Sequence, residues 1–260
     1  MIRRFDLVLT VPLATIVAMV AGVLVALSLR VSLTELWQQV LSAEVRFAVG
    51  LSLRTSLMAL AVSLLLAVPA AYAMSRRDFP GIKLVDTILD IPLVMPPLVA
   101  GLGLLILLSR SALGAPLARL GVDALFSPVG VVVAQSFIAI SVVLRSARAA
   151  FGQVDGGYGQ AAATLGAGPA AVFFWVDLPL AARGIAAGTV LAWARTLGEF
   201  GATLMVAGAT RFKTETLPMA VYLNIATGDT EAAVSCALVL MVIAFVVLMA
   251  LRLLKTRGAT

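Results

Sequence analysis

Long apolar runs separated by short polar or glycine- and proline-rich connections make up most of the chain. A membrane-spanning helix needs about 17–25 predominantly apolar residues. Connections such as "SRRDFPG" and "ATGDTE" carry the residues expected in turns. The pattern predicts an all-α polytopic membrane protein with six transmembrane helices. The six runs extend from Leu7 to Leu29, Leu51 to Met74, Leu84 to Leu108, Pro128 to Leu144, Gly184 to Ala207 and Ala232 to Leu254.

Composition agrees with lipid rather than water as the surrounding solvent. Of 260 residues, 62% are hydrophobic and 12% charged, whereas soluble domains contain about 25% charged residues. The absence of histidine excludes a His-ligated metal centre and a His-based catalytic triad. The lone Cys236 lies in an apolar run and has no partner for an intramolecular disulfide. We therefore expect no metal site and no catalytic residue.

The distribution of basic residues predicts the orientation in the inner membrane. More Lys and Arg residues flank the span ends on the side of the N-terminus than flank the opposite ends, and such residues remain on the cytoplasmic side. Both termini are therefore predicted to be cytoplasmic. The net charge of +6 is distributed around spans rather than along one stripe, so we expect a lipid bilayer and no nucleic acid as its partner.

One cytoplasmic segment, about residues 148–180, is too polar and too interrupted by Gly and Pro to span. Asp155 is a suitable N-cap for a short helix that contains Gln160 to Leu165 and stops at Gly166 and Gly168. Pro169 then opens a second short helix. Short connections need only about two to eight residues, so the additional length indicates a purpose of its own.

The composition of this short helix favours contact with another protein. Ala161 and Ala162 allow a partner to approach closely, and nearby apolar side chains offer anchors. The alternative is an amphipathic segment that lies on the lipid surface. The proposed anchors are Leu165, Phe173, Phe174 and Trp175.

The same segment resembles the signature of the permease subunits of ATP-binding-cassette (ABC) importers, which is Glu-Ala-Ala, three residues, Gly, nine residues, Ile, one residue, Leu-Pro. The resemblance implies a type I importer fold over about residues 47–255, preceded at 1–46 by an added transmembrane helix and an external segment. It further implies a coupling helix that docks on a separate ATPase subunit. The matching residues here are Gln160, Ala161, Ala162, Gly166, Val176, Leu178 and Pro179.

Two further stretches, "LAWARTLGEFGATLMVAG" and "ETLPMAVYLNIATGDTEAA", look like the molybdate branch of these permeases. Tungstate and sulfate or thiosulfate permeases are the alternatives, since the "GEFGA" core is shared with sulfate permeases. The resemblance implies a homodimer, two ATPase subunits that hold ATP and magnesium, and a periplasmic or lipid-anchored binding protein. The chain contains no phosphate-binding GxxxxGK[ST] loop, so we do not expect it to hydrolyse ATP itself.

The fifth predicted span carries a regular series of hydroxyl side chains. Thr189, Thr196 and Thr203 recur every seven residues and would share one face of a continuous helix. Two interpretations remain open. Small and hydroxyl residues are common where membrane helices pack, but the hydroxyls could also donate hydrogen bonds to a tetrahedral oxyanion along a water-lined path.

An acidic residue in the same span requires an explanation, because a charge in the bilayer is costly unless it is paired or functional. Arg195 precedes Glu199 by four residues, a spacing at which helical side chains meet. We predict that this pair, or a bond from Glu199 to a neighbouring helix, fixes a kink permitted by Gly198 and Gly201. The alternative is a place for Glu199 on the transport path.

The third predicted span contains Pro92, Pro96 and Pro97, which are expected to kink or break it. Two other classes of protein remain as alternatives to an importer subunit. An autonomous secondary transporter or channel would need no ATPase. A polytopic membrane enzyme would need a cluster of catalytic groups, and Arg195 with Glu199 comes nearest to one.

Overall fold

The structure is a computed structural model that describes residues 2–77, 79–110, 114–119, 121 and 123–256. Every regular element within these ranges is helical, as the apolar pattern predicts. The helices in chain order are α1 (Ile2–Ser28), α2 (Leu33–Leu41), α3 (Ala43–Arg76), α4 (Ile82–Val94), α5 (Pro97–Arg110), α6 (Gly114–Arg119), α7 (Pro128–Gly152), α8 (Gly156–Thr164), α9 (Pro169–Val172), a π-helical turn (Phe173–Asp177), α10 (Leu178–Leu197), α11 (Gly201–Ala207), α12 (Leu217–Ala226) and α13 (Thr230–Thr256).

Within the described residues, five helical stretches are long and apolar enough to cross a membrane. Helices α4 and α5 make a sixth crossing if they are counted together as one span, which is bent by 113° at the break between them. The predicted six spans are confirmed on that count. The five stretches are Thr10–Ser28, Ala43–Arg76, Pro128–Gly152, Pro169–Leu197 and Thr230–Met249.

The third predicted span is not one straight helix. It ends at Val94, and the chain resumes as a helix at Pro97. Consecutive prolines explain the break, because neither Pro96 nor Pro97 can donate a backbone hydrogen bond and each ring clashes with the preceding turn. Pro92 lies inside α4 without ending it.

The bundle packs around α7, which contacts both α3 and α10 extensively, and α3 and α10 also contact each other over a shorter stretch. Their shared core is rich in alanine, including the fully buried Ala71, Ala139, Ala147 and Ala192. Small side chains allow membrane helices to approach closely, where dispersion forces and interhelical hydrogen bonds hold them together. One such bond runs from the Trp193 indole to the Ser56 hydroxyl at 3.0 Å.

Local sequence signals fix where the long helices begin. The Ser42 hydroxyl accepts a hydrogen bond from the Val45 N–H and caps α3. The Ser127 hydroxyl caps α7, whose first residue is Pro128. Both are favoured arrangements, because an N-cap oxygen satisfies an otherwise unpaired N–H, and proline has no N–H to satisfy.

Ion pairs attach α4 to α7 near the α8 end of the bundle. Arg148 pairs with Asp86, and Arg145 lies 3.4 Å from Asp90. This end is the one that the basic residues predict to be cytoplasmic; the opposite end, which carries α2, is called the α2 end. The α2 end also holds α12, a ten-residue apolar helix that is too short to span and that packs on α13 and α3.

Candidate functional site

Helix α8 forms where the sequence predicts a short helix between the fourth and fifth spans. The Asp155 carboxylate accepts the Gly157 N–H at 2.8 Å and caps its start. At its end, the N–H groups of Gly166 and Ala167 bond to the carbonyls of Ala163 and Ala162. This Schellman arrangement needs a left-handed residue, which Gly166 supplies at φ +91°. The predicted cap and stop are therefore confirmed.

The outward face of α8 is apolar and uncovered by the described part of the chain. Tyr158 and Leu165 are seven residues apart and are 59% and 90% exposed. Ala161 lies between them on the same face and is exposed as well. The opposite face, with Gly159 and Ala163, borders a cavity of about 560 Å³ between α8 and the end of α3.

Two of the predicted contact residues lie elsewhere than expected. Ala162 is half-buried and turned partly towards its own chain. Phe173 is not a surface anchor: its ring packs 4.7 Å from that of Tyr72 and 6.3 Å from that of Phe151. The π-helical turn explains the inward position of Phe173, because it directs this side chain into the core. Phe174 and Trp175 remain exposed, as predicted.

A buried ion pair lies behind α8. The Arg76 guanidinium, at the last residue of α3, contacts the Asp177 carboxylate at 2.8 Å. Both of its terminal nitrogens also donate to the Val154 carbonyl at 3.2 Å, just before α8. The Tyr72 hydroxyl donates to the other Asp177 oxygen at 2.8 Å. Asp177 is 2% exposed, so this carboxylate exchanges water for two hydrogen bonds, both from side chains of α3.

From Pro169 the chain runs as one continuous helical rod to Leu197. At 1.5 Å per residue its 29 residues extend about 43 Å. The π-helical turn accommodates Pro179, since the Leu178 N–H bonds to the Phe173 carbonyl five residues back. The wider turn shifts the hydrogen-bond ladder where the proline ring would otherwise interrupt it.

The signature residues occupy different environments along this segment. Gln160 is exposed at the rim of the cavity, and Leu178 packs against the bundle core. Pro179 lies exposed within the rod. Some signature residues therefore pack within the protein and help to fold the α8 segment, whereas others lie on its outer surface.

The rod ends at a break near Gly198 and Gly201, where the sequence predicts a kink in the span from Gly184 to Ala207. Residues 198–200 are not helical. Arg195 pairs with Glu199 at 3.2 Å, as its spacing predicts. The other Glu199 oxygen accepts the Ala202 N–H at 3.0 Å and caps α11. Glu199 is 1% exposed, and its carboxylate joins the end of one helix to the start of the next.

The two glycines at the break differ in their surroundings. A side-chain carbon on Gly201 would lie 2.9 Å from the Cβ of Pro97, so α11 and α5 meet there at backbone distance. Around Gly198 the nearest such atom, the Arg195 carbonyl oxygen, is 4.0 Å away. Gly201 is therefore required for packing between the two broken spans.

Because of this break, the three threonines do not form the continuous stripe that the sequence predicts. Thr189 and Thr196 lie on α10, whereas Thr203 lies on α11, so the three do not share one continuous helical face. The Thr189 and Thr196 hydroxyls donate to backbone carbonyls of their own helix. The Thr203 hydroxyl is fully buried and has no hydrogen-bond partner among the described residues.

Three residues of these polar contacts, Asp177, Tyr72 and Gln135, were not among those predicted from the sequence. Asp177 is the only acidic residue between Asp155 and Glu199 and lies in the apolar run "AVFFWVDLPLAA", a signal that predicts a buried partner. Gln135 donates to the Thr196 carbonyl at 3.2 Å from α7. No comparable signal in the sequence marks Tyr72 or Gln135.

A second polar cluster joins the elements of the α2 end. Arg211 donates to Glu44 on α3 and to Asn224 on α12, both at 3.0 Å. Glu215 is fully buried, and one of its oxygens accepts the Phe212 N–H. Burial, together with the neighbouring Glu44, raises the pKa of Glu215 above its ordinary value. Arg211 thus holds together three elements rather than standing alone in a solvated loop.

These features define a class of protein. Broken spans joined by buried polar contacts, with a short apolar helix presented at one end, are the features of a polytopic membrane transport subunit that works with a partner. Irregular backbone within the membrane is tolerated only where protein or a water-filled cavity surrounds it.

Comparison with known proteins identifies the family. The chain belongs to the family of binding-protein-dependent transport system inner membrane components, which matches residues 63–258. It is 37% identical over 234 residues to "Molybdenum transport system permease protein ModB" of Mycobacterium tuberculosis, covering 90% of this chain and 88% of that protein. It is 42% identical over 193 residues to the protein of the same name from Escherichia coli, covering 73% and 84%. "Sulfate transport system permease protein CysT" of Escherichia coli is 29% identical over 252 residues, covering 96% and 88%.

A solved structure has the same fold. A chain of the bacterial alginate ABC transporter in complex with alginate pentasaccharide-bound periplasmic protein superposes with a TM-score of 0.75. The match covers 98% of this chain and 96% of that chain at 16% identity. The type I importer permease fold implied by the α8 signature is confirmed.

Proposed function

We propose that the chain is the membrane-spanning subunit of an ATP-driven importer, and that its cargo is a tetrahedral oxyanion, most specifically molybdate. Two copies of the chain would form the passage, and two ATPase subunits with ATP and magnesium would bind beneath. A periplasmic or lipid-anchored binding protein would deliver the anion. The chain itself acts as a passage and not as an enzyme.

The observation that carries the proposal is the uncovered apolar face of α8. Tyr158, Ala161 and Leu165 point away from the bundle on a helix that has no buried residue. An exposed apolar face beside a basic membrane boundary is explained by a protein partner, since exposed apolar patches mark interaction sites. The family signature at this helix supports an ATPase subunit as that partner.

The rod from Pro169 to Leu197 supports a mechanical route from α8 to the broken spans. A displacement of α8 by the ATPase pair would move the rod as a rigid element. Its far end carries the Arg195–Glu199 pair and the close contact of Gly201 with Pro97. Rigid-body motion of this kind is one established form of switching between two states.

The choice of molybdate rests on the relatives. Those named for molybdenum transport are 37% and 42% identical to the chain, against 29% for the sulfate relative. Tungstate and sulfate or thiosulfate remain the alternative cargoes. Thr189, Thr196 and Thr203 are proposed as donors to the anion only in a conformation that opens the contact between α5 and α11.

We further propose that residues 1–46 form an added helix and external segment, and that residues 47–255 form the transporter domain. The exposed face of α1 supports this division, since none of the best apolar window within Thr10–Ser28 is buried. Both termini would be cytoplasmic, on the side of α8. The basic residues at that side support this orientation.

Transport in proteoliposomes tests the proposal. The chain is reconstituted with the ATPase and binding protein of the same transport system, and uptake of labelled molybdate is compared with that of labelled sulfate. We expect uptake that requires ATP and both partners, and that unlabelled tungstate inhibits more strongly than sulfate. Uphill uptake without the ATPase would show an autonomous transporter and refute the proposal.

A pair of variants tests the role of α8. Leu165→Asp places a charge on the uncovered face and should abolish co-purification of the ATPase. Thr164→Asp places the same charge on the neighbouring exposed residue, off the line of Tyr158 and Leu165, and should retain the ATPase. Equal retention by both variants would show that α8 is not the docking element.

A further inference from the structure

Helix α8 has few contacts with its own chain. It packs on α9 and the π-helical turn, and none of its residues is buried. A cavity of about 560 Å³ separates it from the end of α3. A force applied to its outer face would therefore tilt α8 into the cavity unless something bridges that space.

The Arg76–Asp177 pair provides this bridge. Arg76 closes α3, and its guanidinium holds the Val154 carbonyl at the entry to α8 as well as the Asp177 carboxylate at the start of α10. Gly156 and Gly159 face the pair: a side-chain carbon added to each would lie 3.7 Å from the Arg76 guanidinium and 3.9 Å from the Asp177 carboxylate, respectively. Arg76 thus joins the entry to α8 and the start of α10 to the end of α3.

Burial makes this connection stiff. Asp177 is 2% exposed and Arg76 has 23% of its side chain exposed. A buried charge that loses its partner is left without compensation, so the two side chains separate only at high cost. Tyr72 donates to the second oxygen of Asp177 and fixes the plane of the carboxylate.

We propose that Arg76 and Asp177 are positioning residues for energy coupling: they make α8, α3 and the rod to Leu197 move as one body when the ATPase pair closes. The inference rests on the proposed function. It assigns to α3 a share of the motion that would otherwise pass only through α9 and the π-helical turn.

The test compares Arg76→Gln, Asp177→Asn and the double variant in the full chain, reconstituted with the ATPase and binding protein. Each single variant leaves one buried charge without its partner. The number of molybdate ions imported per ATP hydrolysed should therefore fall about tenfold, within the range of about 5- to 150-fold that is typical of coupling between two sites. Co-purification of the ATPase should remain. Because the two side chains act through each other, the double variant should be no worse than either single variant.

Arg77→Gln is the matched control, since it removes the same charge from the next residue, which is exposed. It should import as many ions per ATP as the unaltered chain. Arg76→Lys, which retains a charge, should recover part of the coupling. Tyr72→Phe, which removes one hydroxyl, should lower coupling less than Asp177→Asn.

A distance measurement gives a readout that does not depend on transport. Spin labels at Thr164→Cys on α8 and Ala70→Cys on α3, in a Cys236→Ser background, should give one narrow distance. Tyr72→Phe or Arg76→Lys should broaden it, and these mild variants remain informative if Asp177→Asn does not fold. An unaltered chain without ATP-dependent import would contradict the proposed function. Normal import by that chain, with unchanged coupling and distances in the variants, would overturn this inference.

Discussion

Replacement of Glu199 tests how the break between α10 and α11 is held. Glu199→Ala removes the cap on the Ala202 N–H and the pair with Arg195. A lost helix cap costs about 1 kcal/mol, and a buried hydrogen bond to a charged group contributes about 1.5–3 kcal/mol. Since Arg195 keeps 47% of its side chain exposed, water compensates part of its lost partner. We expect a total loss of about 3 kcal/mol.

Glu199→Gln separates the two contributions. The amide oxygen still accepts the Ala202 N–H, so only the charge is lost, and we expect a loss of about 1 kcal/mol. The assay is thermal unfolding of the purified protein in detergent, followed by circular dichroism. For a chain of this size, 1 kcal/mol corresponds to about 2–4 °C. The alanine variant should therefore melt about 6–12 °C lower, and the glutamine variant about 2–4 °C lower.

Glu231→Gln is the control, because Glu231 is an exposed carboxylate in the first turn of α13. It should shift the melting temperature by about 1 °C, since an exposed charge near a helix N-terminus is worth only a few tenths of a kcal/mol. The amount of folded transporter in membranes should decrease for Glu199→Gln. Normal stability with a selective loss of anion uptake would refute the structural role and place Glu199 on the transport path.

Three further substitutions test separate parts of the structure. Burial and the neighbouring Glu44 raise the pKa of Glu215 above its ordinary value of 4.5. The protonated side chain therefore contributes stability at pH values below 4.5, and this stability is lost as the pH rises from there through the raised pKa of the folded protein. Glu215→Gln should flatten this pH dependence of the melting temperature, and an unchanged profile would contradict it. Gly201→Ala should lower the melting temperature, because the added methyl group would collide with the start of α5. Gly103→Ala on α5 is the control and should not lower it, because an added methyl group there meets no atom within 4 Å. Equal effects of the two variants would refute the close contact. Gly166→Ala, at φ +91°, should destabilise the end of α8 by about 1 kcal/mol, which slower hydrogen exchange in α8 would contradict.

The sequence predicts the features of this protein that are encoded locally. Apolar runs identify the spans, and Asp155 and Gly166 identify the ends of α8, because capping depends on a few adjacent residues. The same logic gives the pairing of Arg195 with Glu199, four residues apart on one helix. These features could therefore be predicted without any knowledge of tertiary packing.

Features that depend on contacts between distant residues could not be predicted in this way. The sequence predicts a kink in the fifth span but not that the helix stops at Leu197 and restarts at Gly201, because a glycine and a carboxylate in an apolar run do not reveal that Glu199 caps a second helix. The sequence identifies Arg76 as a basic residue at the end of a span. Its pairing with Asp177, 101 residues later, depends on how α3 and α10 pack and could not be predicted. The inward position of Phe173 depends on a wide helical turn that no simple periodicity describes.

The single wide turn at Phe173–Asp177 makes this region sensitive to chain length rather than only to side-chain chemistry. An α-helix advances by about 100° per residue, so deletion of one residue here would rotate everything before it relative to α10. Asp177 would keep its place while Tyr158 and Leu165 swung to another side. Related chains with diverse side chains on α8 should therefore tolerate substitutions there far better than insertions or deletions between Pro169 and Pro179.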